Sequence, residues 1–158
     1  MVNIDKLNWC KKLKNGIKLI EPNENISNSY LEQSLNTLKK VSQLIEEIDF
    51  LWATVRIYYA DYYALYSFLQ GIGIKCENHE CSIILTKKII KNIDINIIEK
   101  HKQNRIDSQY YLKYVDKNKL INSYNESKLF ILEFKELINN LDQKGISDYR
   151  NKLIELLN

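Results

Sequence analysis

Residues 50–70, FLWATVRIYYADYYALYSFLQ, are apolar or aromatic on almost every side of a helix. A helix without a broad polar face has to be enclosed by other elements, so this stretch by itself calls for a bundle with residues 50–70 at its centre. Punctuation points the same way. Four glycines and one proline in 158 residues are too few for the turns of many short strands. With 45% hydrophobic residues the chain can bury one sizeable core, and its length suits a single domain. We read it as all-α, an up-and-down four-helix-type bundle with short extra helices. Residues 1–158 form one domain, divided into an N-terminal arm (1–20), a core bundle (21–143) and a terminal helix (146–158).

The flanking segments support this division. Leu7, Trp9, Cys10 and Leu13 suit one short helix ended by Asn15-Gly16. After Pro22 a run of capping residues precedes apolar positions Leu31, Leu35, Leu38, Val41, Ile45 and Ile48, which predict an amphipathic helix over 27–47. The stretch 74–90 is rich in β-branched residues, which suits a strand, but its place between helices favours a short helix. Asp94 is a plausible N-cap for a helix over 95–113. Apolar residues from Leu120 to Leu141, interrupted only at Ser127, predict a long helix over 116–145 with Gly145 as its C-cap. A serine-capped helix should close the chain.

Charge excludes little. Twenty-three Lys and Arg against twenty Asp and Glu give +3, which does not by itself imply nucleic acid. No apolar run reaches membrane-spanning length and the first residues lack the apolar stretch of a signal peptide, so the expectation is a cytoplasmic protein without a membrane partner. Cys10, Cys76 and Cys81 are too few for a secreted disulfide framework. The Cys76, His79, Cys81 spacing lacks the two separated pairs of structural zinc, so we expect neither metal nor cofactor. Half-buried thiols are the favoured reading, with a Cys76–Cys81 disulfide open if the source is hyperthermophilic.

Several of these residues also carry a family pattern. Tyr58-Tyr59-Ala60, Tyr63-Ala64-Leu65, Gly73-Ile74-Lys75, His79, and Arg105-Ile106-Asp107 with Tyr110-Tyr111 together resemble the HEPN superfamily, and more closely its archaeal-type domains. The resemblance covers roughly residues 20–143. It implies a small helical bundle that forms a homodimer through its aromatic helices, with Arg105 projecting into the shared groove. Ribonucleases of that superfamily carry an arginine followed four to six residues later by a histidine on the same helix. That pairing supplies a permanent cation beside a group that titrates near neutrality. Here positions 109–111 are Gln, Tyr and Tyr, so the motif is broken. A tyrosine with an ordinary pKa near 10 is a poor base at neutral pH.

His101 precedes Arg105 by one helical turn, in reversed order, and its setting EKHKQNR reads as a solvated surface. For Arg105 two readings compete: a buried ion pair and hydrogen-bond network with Asp107 and nearby tyrosines, or a phosphate contact. Tyr110 and Tyr111 fall on different helix faces, and by resemblance either is a candidate to accept a nucleotide from a partner enzyme. The ladder from Trp52 to Phe68 reads mainly as packing and subunit contact, although aromatic faces also stack bases. The expectation is therefore a nucleotide- or RNA-binding or partner-docking module built on Arg105, Asp107, Tyr110, Tyr111 and Arg56. By resemblance it would be the non-enzymatic half of a toxin–antitoxin pair with a minimal nucleotidyltransferase. The alternative is a metal-independent endoribonuclease using Arg105 with His79 or His101.

Overall fold

The structure, a computed structural model, describes residues 2–158, with side chains from Lys6 onward; the arm's first residue, Met1, lies outside the described residues. It is an all-α bundle. The helices are α1 (Val2–Lys12), α2 (Glu24–Lys39), α3 (Val41–Glu46), α4 (Phe50–Gly71), α5 (His79–Ile89), α6 (Asn96–Tyr111), α7 (Lys117–Asn139) and α8 (Gln143–Leu157). Two short strands, β1 (Ile17–Leu19) and β2 (Ile74–Cys76), pair antiparallel with Lys18 opposite Lys75.

α4 is the axis that the sequence demands, with α2, α5, α6 and α7 packed around it. The seam with α2 is close because small residues face each other. Ala53, Ala60, Ala64, Ser67 and Gly71 recur at helical spacing on α4 and all are buried. Opposite them Ser34 Oγ donates to the Ala60 carbonyl (2.6 Å) and Ser27 Oγ to that of Ser67 (2.7 Å). The separation of two helices depends on the side chains between them, so this pair carries little bulk and closes with hydrogen bonds. On the other side of α4, Phe68 meets Phe134 of α7 in a tilted contact, and Phe134 in turn meets Phe130 edge-on. All three phenylalanines are fully buried, each stabilising the fold by about 1.5–3 kcal/mol.

Side-chain caps set most of the boundaries. Asn23, Asp49, Asn78, Asp116 and Asp142 each accept a hydrogen bond from a backbone N–H in the first turn of α2, α4, α5, α7 and α8 respectively. Three expectations change. The helix over 27–47 is two helices that break at Lys40, and the break lets both Val41 and Ile45 enter the core. Residues 74–90 are part strand, part helix: Ile74 and Cys76 are buried in β2, and the helix starts only where Asn78 caps it. Gly145 does not end α7. It lies in the first turn of α8, where its N–H donates to Asp142 Oδ1 (2.7 Å), so Asp142 replaces the expected serine as cap.

Gly73 has φ +78°, and a Cβ there would meet Arg150 Nη1 at 2.2 Å and the Ile20 carbonyl oxygen at 2.5 Å. Only glycine suits such a position. Arg150 of α8 fills the space, its Nη1 donating to the carbonyls of Ile20, Ile72 and Gly73.

The arm is also tied down. Cys10 of α1 and Cys81 of α5 form a disulfide across 71 positions, while Cys76 is a free, buried thiol packed beside them. This corrects the reading of Cys76 and Cys81 as half-buried thiols and the Cys76–Cys81 alternative: β2 and the Asn78 cap intervene between those two, and α1 presents Cys10 to Cys81. A bridge closing so long a loop restricts the unfolded chain. Cys10→Ser should lower stability in guanidinium titrations under oxidising conditions by about 2–4 kcal/mol, and reduction of the wild type should remove most of that difference.

Candidate functional site

At the centre of the bundle lies a buried carboxylate. Asp61 of α4 is completely enclosed; Oδ2 is 2.5 Å from His101 Nδ1 of α6, and Oδ1 accepts from Ser127 Oγ of α7. Burial pushes the Asp61 carboxyl up, against the opposing pull of the hydrogen bonds from His101 and Ser127. His101 is 1% exposed, so the reading of a solvated surface histidine is corrected: EKHKQNR is polar in sequence, but His101 is the position of that turn that faces α4. A substrate outside the bundle does not reach it. Loss of a carboxyl oxygen leaves a buried hydrogen-bonding group of His101 or Ser127 imperfectly satisfied, so Asp61→Asn should destabilise the fold by about 1–3 kcal/mol in urea titrations.

One turn further along α6, Arg105 lies against α4, one turn before Asp61. Its guanidinium carbon is 4.8 Å from the Tyr58 ring centroid and 5.9 Å from that of Tyr59, within cation–π range. Nη1 donates to Gln109 Oε1 at 3.0 Å, and the buried Nε has no hydrogen-bond partner. Arg105 makes no ion pair among the described residues. The expected pairing with Asp107 is therefore corrected: Asp107 accepts from Gln103 (2.8 Å) and lines a separate hollow between α6 and α7. Tyrosine faces, not a carboxylate, stabilise this cation.

His79 comes to the same place from α5. Its Nδ1 is 3.0 Å from the Tyr58 hydroxyl, and its ring stacks on Tyr62 with centroids 3.7 Å apart. Tyr58 is fully buried and desolvation pushes its pKa up, so its hydroxyl keeps its proton and shares a hydrogen bond with His79 Nδ1. Desolvation, then Arg105 and Lys102, hold His79 below its ordinary 6.5. The imidazole is thus neutral at neutral pH. Arg105 and His79 both contact Tyr58, one at its ring and the other at its hydroxyl.

Beside them opens a hollow of about 540 Å³, lined among others by Tyr30, Tyr62, Tyr63, Tyr66, Lys75 and His79. Tyr62 and Tyr66 in its wall stack along α4, in a column continued by the buried Tyr58, and Tyr30 of α2 meets Tyr66 edge-on. The remaining expected residues are dispersed. Tyr110 and Tyr111 point outward at the end of α6, at 69% and 66% exposure, and Arg56 is half-buried on the outer side of α4. Among the described residues no cluster of His, Cys, Asp and Glu suits a metal ion, and no helix is long and apolar enough to cross a membrane.

Sequence reasoning misses Asp61, the lone acid in an apolar helix, and Ser127, the lone break in an apolar stripe. Those two interruptions are the signal that a polar contact joins α4 to α7.

Compared with protein-family models and with curated proteins, the chain matches none.

The His79 environment fixes a sign for pH dependence. A folded pKa below the unfolded 6.5 means that the folded chain binds fewer protons in the interval between the two, so stability is intact above about pH 6.5 and falls as pH drops through the folded value. In NMR titrations the His79 ring should titrate below 6.5, and Arg105→Gln should move its midpoint upward.

Proposed function

We propose that this protein is a HEPN-like module that binds the phosphate of RNA or of a nucleotide at Arg105, with His79 as a second donor. The observation that carries the reading is the state of Arg105: a permanent cation on a tyrosine face, with a side-chain amide as its protein acceptor and no carboxylate to neutralise it. A partly desolvated guanidinium of this kind is suited to phosphate oxygens. The HEPN resemblance supports the same choice of ligand, and it also implies a second copy across the aromatic helix. Most of the α4 ladder is used within one protomer, so a subunit contact there would rest on Trp52, Tyr59 and Tyr63.

The endoribonuclease alternative asks His79 or His101 to act as a base. His101 is enclosed, and Nδ1 of His79 is already engaged by the Tyr58 hydroxyl. Binding without cleavage fits these groups better.

The test is a filter-binding and gel assay with labelled RNA in EDTA. Wild type should retain the RNA intact. Arg105→Gln should weaken binding about ten- to hundredfold, the loss expected for one charge-assisted phosphate contact, and reduce the salt dependence by about one counterion. Cleavage that persists in EDTA and disappears in both Arg105→Gln and His79→Gln would replace this reading with the ribonuclease.

A further inference from the structure

The bundle leaves one long side of α4 incompletely buried, between α2 on one flank and α5 and α6 on the other. Along it Trp52, Arg56, Tyr59 and Tyr63 recur at intervals of four, three and four residues, which sets them on one face. Trp52 is 51% exposed, and the other three are half-buried. Tyr59 and Tyr63 lie 6.2 Å apart, Tyr30 of α2 continues the row 6.0 Å beyond Tyr63, and Arg105 stands over Tyr59. The row spans about 16 Å of helix.

Its chemistry is consistent from end to end. Aromatic faces alternate with two guanidinium groups, and Arg56 has no ion-pair partner among the described residues. The α2 flank contributes Ile26, Tyr30, Gln33 and Thr37 at helical spacing, none of them charged. At the far end Glu77 is held by Lys75 at 3.2 Å. A polyanion with flat, stackable groups fits both the unpaired cations and the rings.

We infer that this face is a track for single-stranded RNA, its bases stacking on Trp52, Tyr59 and Tyr63 while its phosphates meet Arg56 and Arg105. The inference rests on the phosphate site at Arg105 and extends it from one phosphate to a strand. Exposed aromatic faces accept any base, and a paired duplex, whose bases already stack on one another, has none to offer. The track therefore selects strandedness rather than sequence.

Three ligands test it: a labelled 12-nucleotide oligouridylate, an RNA duplex of equal length, and uridine monophosphate. The measurements are fluorescence anisotropy and the intrinsic emission of Trp52 in a Trp9→Phe background. The oligouridylate should quench Trp52 and bind at least tenfold more tightly than the duplex. Trp52→Ala should weaken its binding about ten- to hundredfold, Trp52→Phe should restore most of it, and uridine monophosphate should bind both variants as it binds wild type. Arg105→Gln should lose the mononucleotide and the strand together. If Trp52→Ala leaves the oligouridylate unaffected, or the duplex binds equally well, while Arg105→Gln still abolishes binding, the track is wrong and the phosphate site stands. Loss in Trp52→Ala with no change in Arg105→Gln would overturn the phosphate site and keep the face. Conversion of a dimer to a monomer by Trp52→Ala in light scattering, with RNA binding intact, would assign the face to a second copy. Absence of binding to all three ligands would overturn both.

Discussion

The arrangement of this protein depends on the carboxylate of Asp61. A carboxyl group in the middle of an apolar bundle is tolerable only if its oxygens are satisfied, and here they are satisfied by two other helices: His101 from α6 and Ser127 from α7. One side chain thereby fixes the register of three helices. Apolar packing is comparatively indifferent to a slide along an axis, whereas a hydrogen bond is lost within a few tenths of an ångström. The small-residue seam between α2 and α4 does the same on the opposite side, through Ser27 and Ser34.

That register also makes the candidate site. Because His101 is held at Asp61, the next turn of α6 sets Arg105 against the preceding turn of α4, at Tyr58. The Tyr58 hydroxyl then reaches His79, whose helix is held by the Asn78 cap and by the disulfide to α1. Cation, tyrosine and imidazole come from three elements, yet their meeting follows from one buried contact. The division of labour between the histidines has the same origin: the more deeply enclosed one holds the bundle together, and the half-buried one lines a hollow open to ligand.

The use of aromatic residues on α4 divides by helix face. Tyr58, Tyr62 and Tyr66 stack inward in an unbroken column that also carries His79, and this column gives the neighbouring open row a rigid backing. Trp52, Tyr59 and Tyr63 lie on that open row. An aromatic platform with few rotatable bonds loses little entropy when a planar ligand stacks on it, which suits the outer row to recognition.

How much of this could be read in advance follows from the range of each interaction. The central helix and its approximate ends were legible because an all-round apolar run of helical length has a single physical solution, burial within a bundle; the long helix beginning at Asp116 was legible for similar local reasons. Gly73 was legible as a turn. The break at Lys40, the short β1–β2 pair and the role of Asp142 over Gly145 were not, since each depends on which of several local options the neighbouring elements favour. Arg105 could be singled out by its motif, but not its lack of a carboxylate, because Asp107 two residues on points to another side of the helix. The burial of His101 and the Cys10–Cys81 bridge are contacts across 40 and 71 positions. Sequence determined which segments become helices and which of them must lie inside; only tertiary structure decided which polar side chains meet, because those meetings are set by helix register, and register is a property of the packed molecule as a whole.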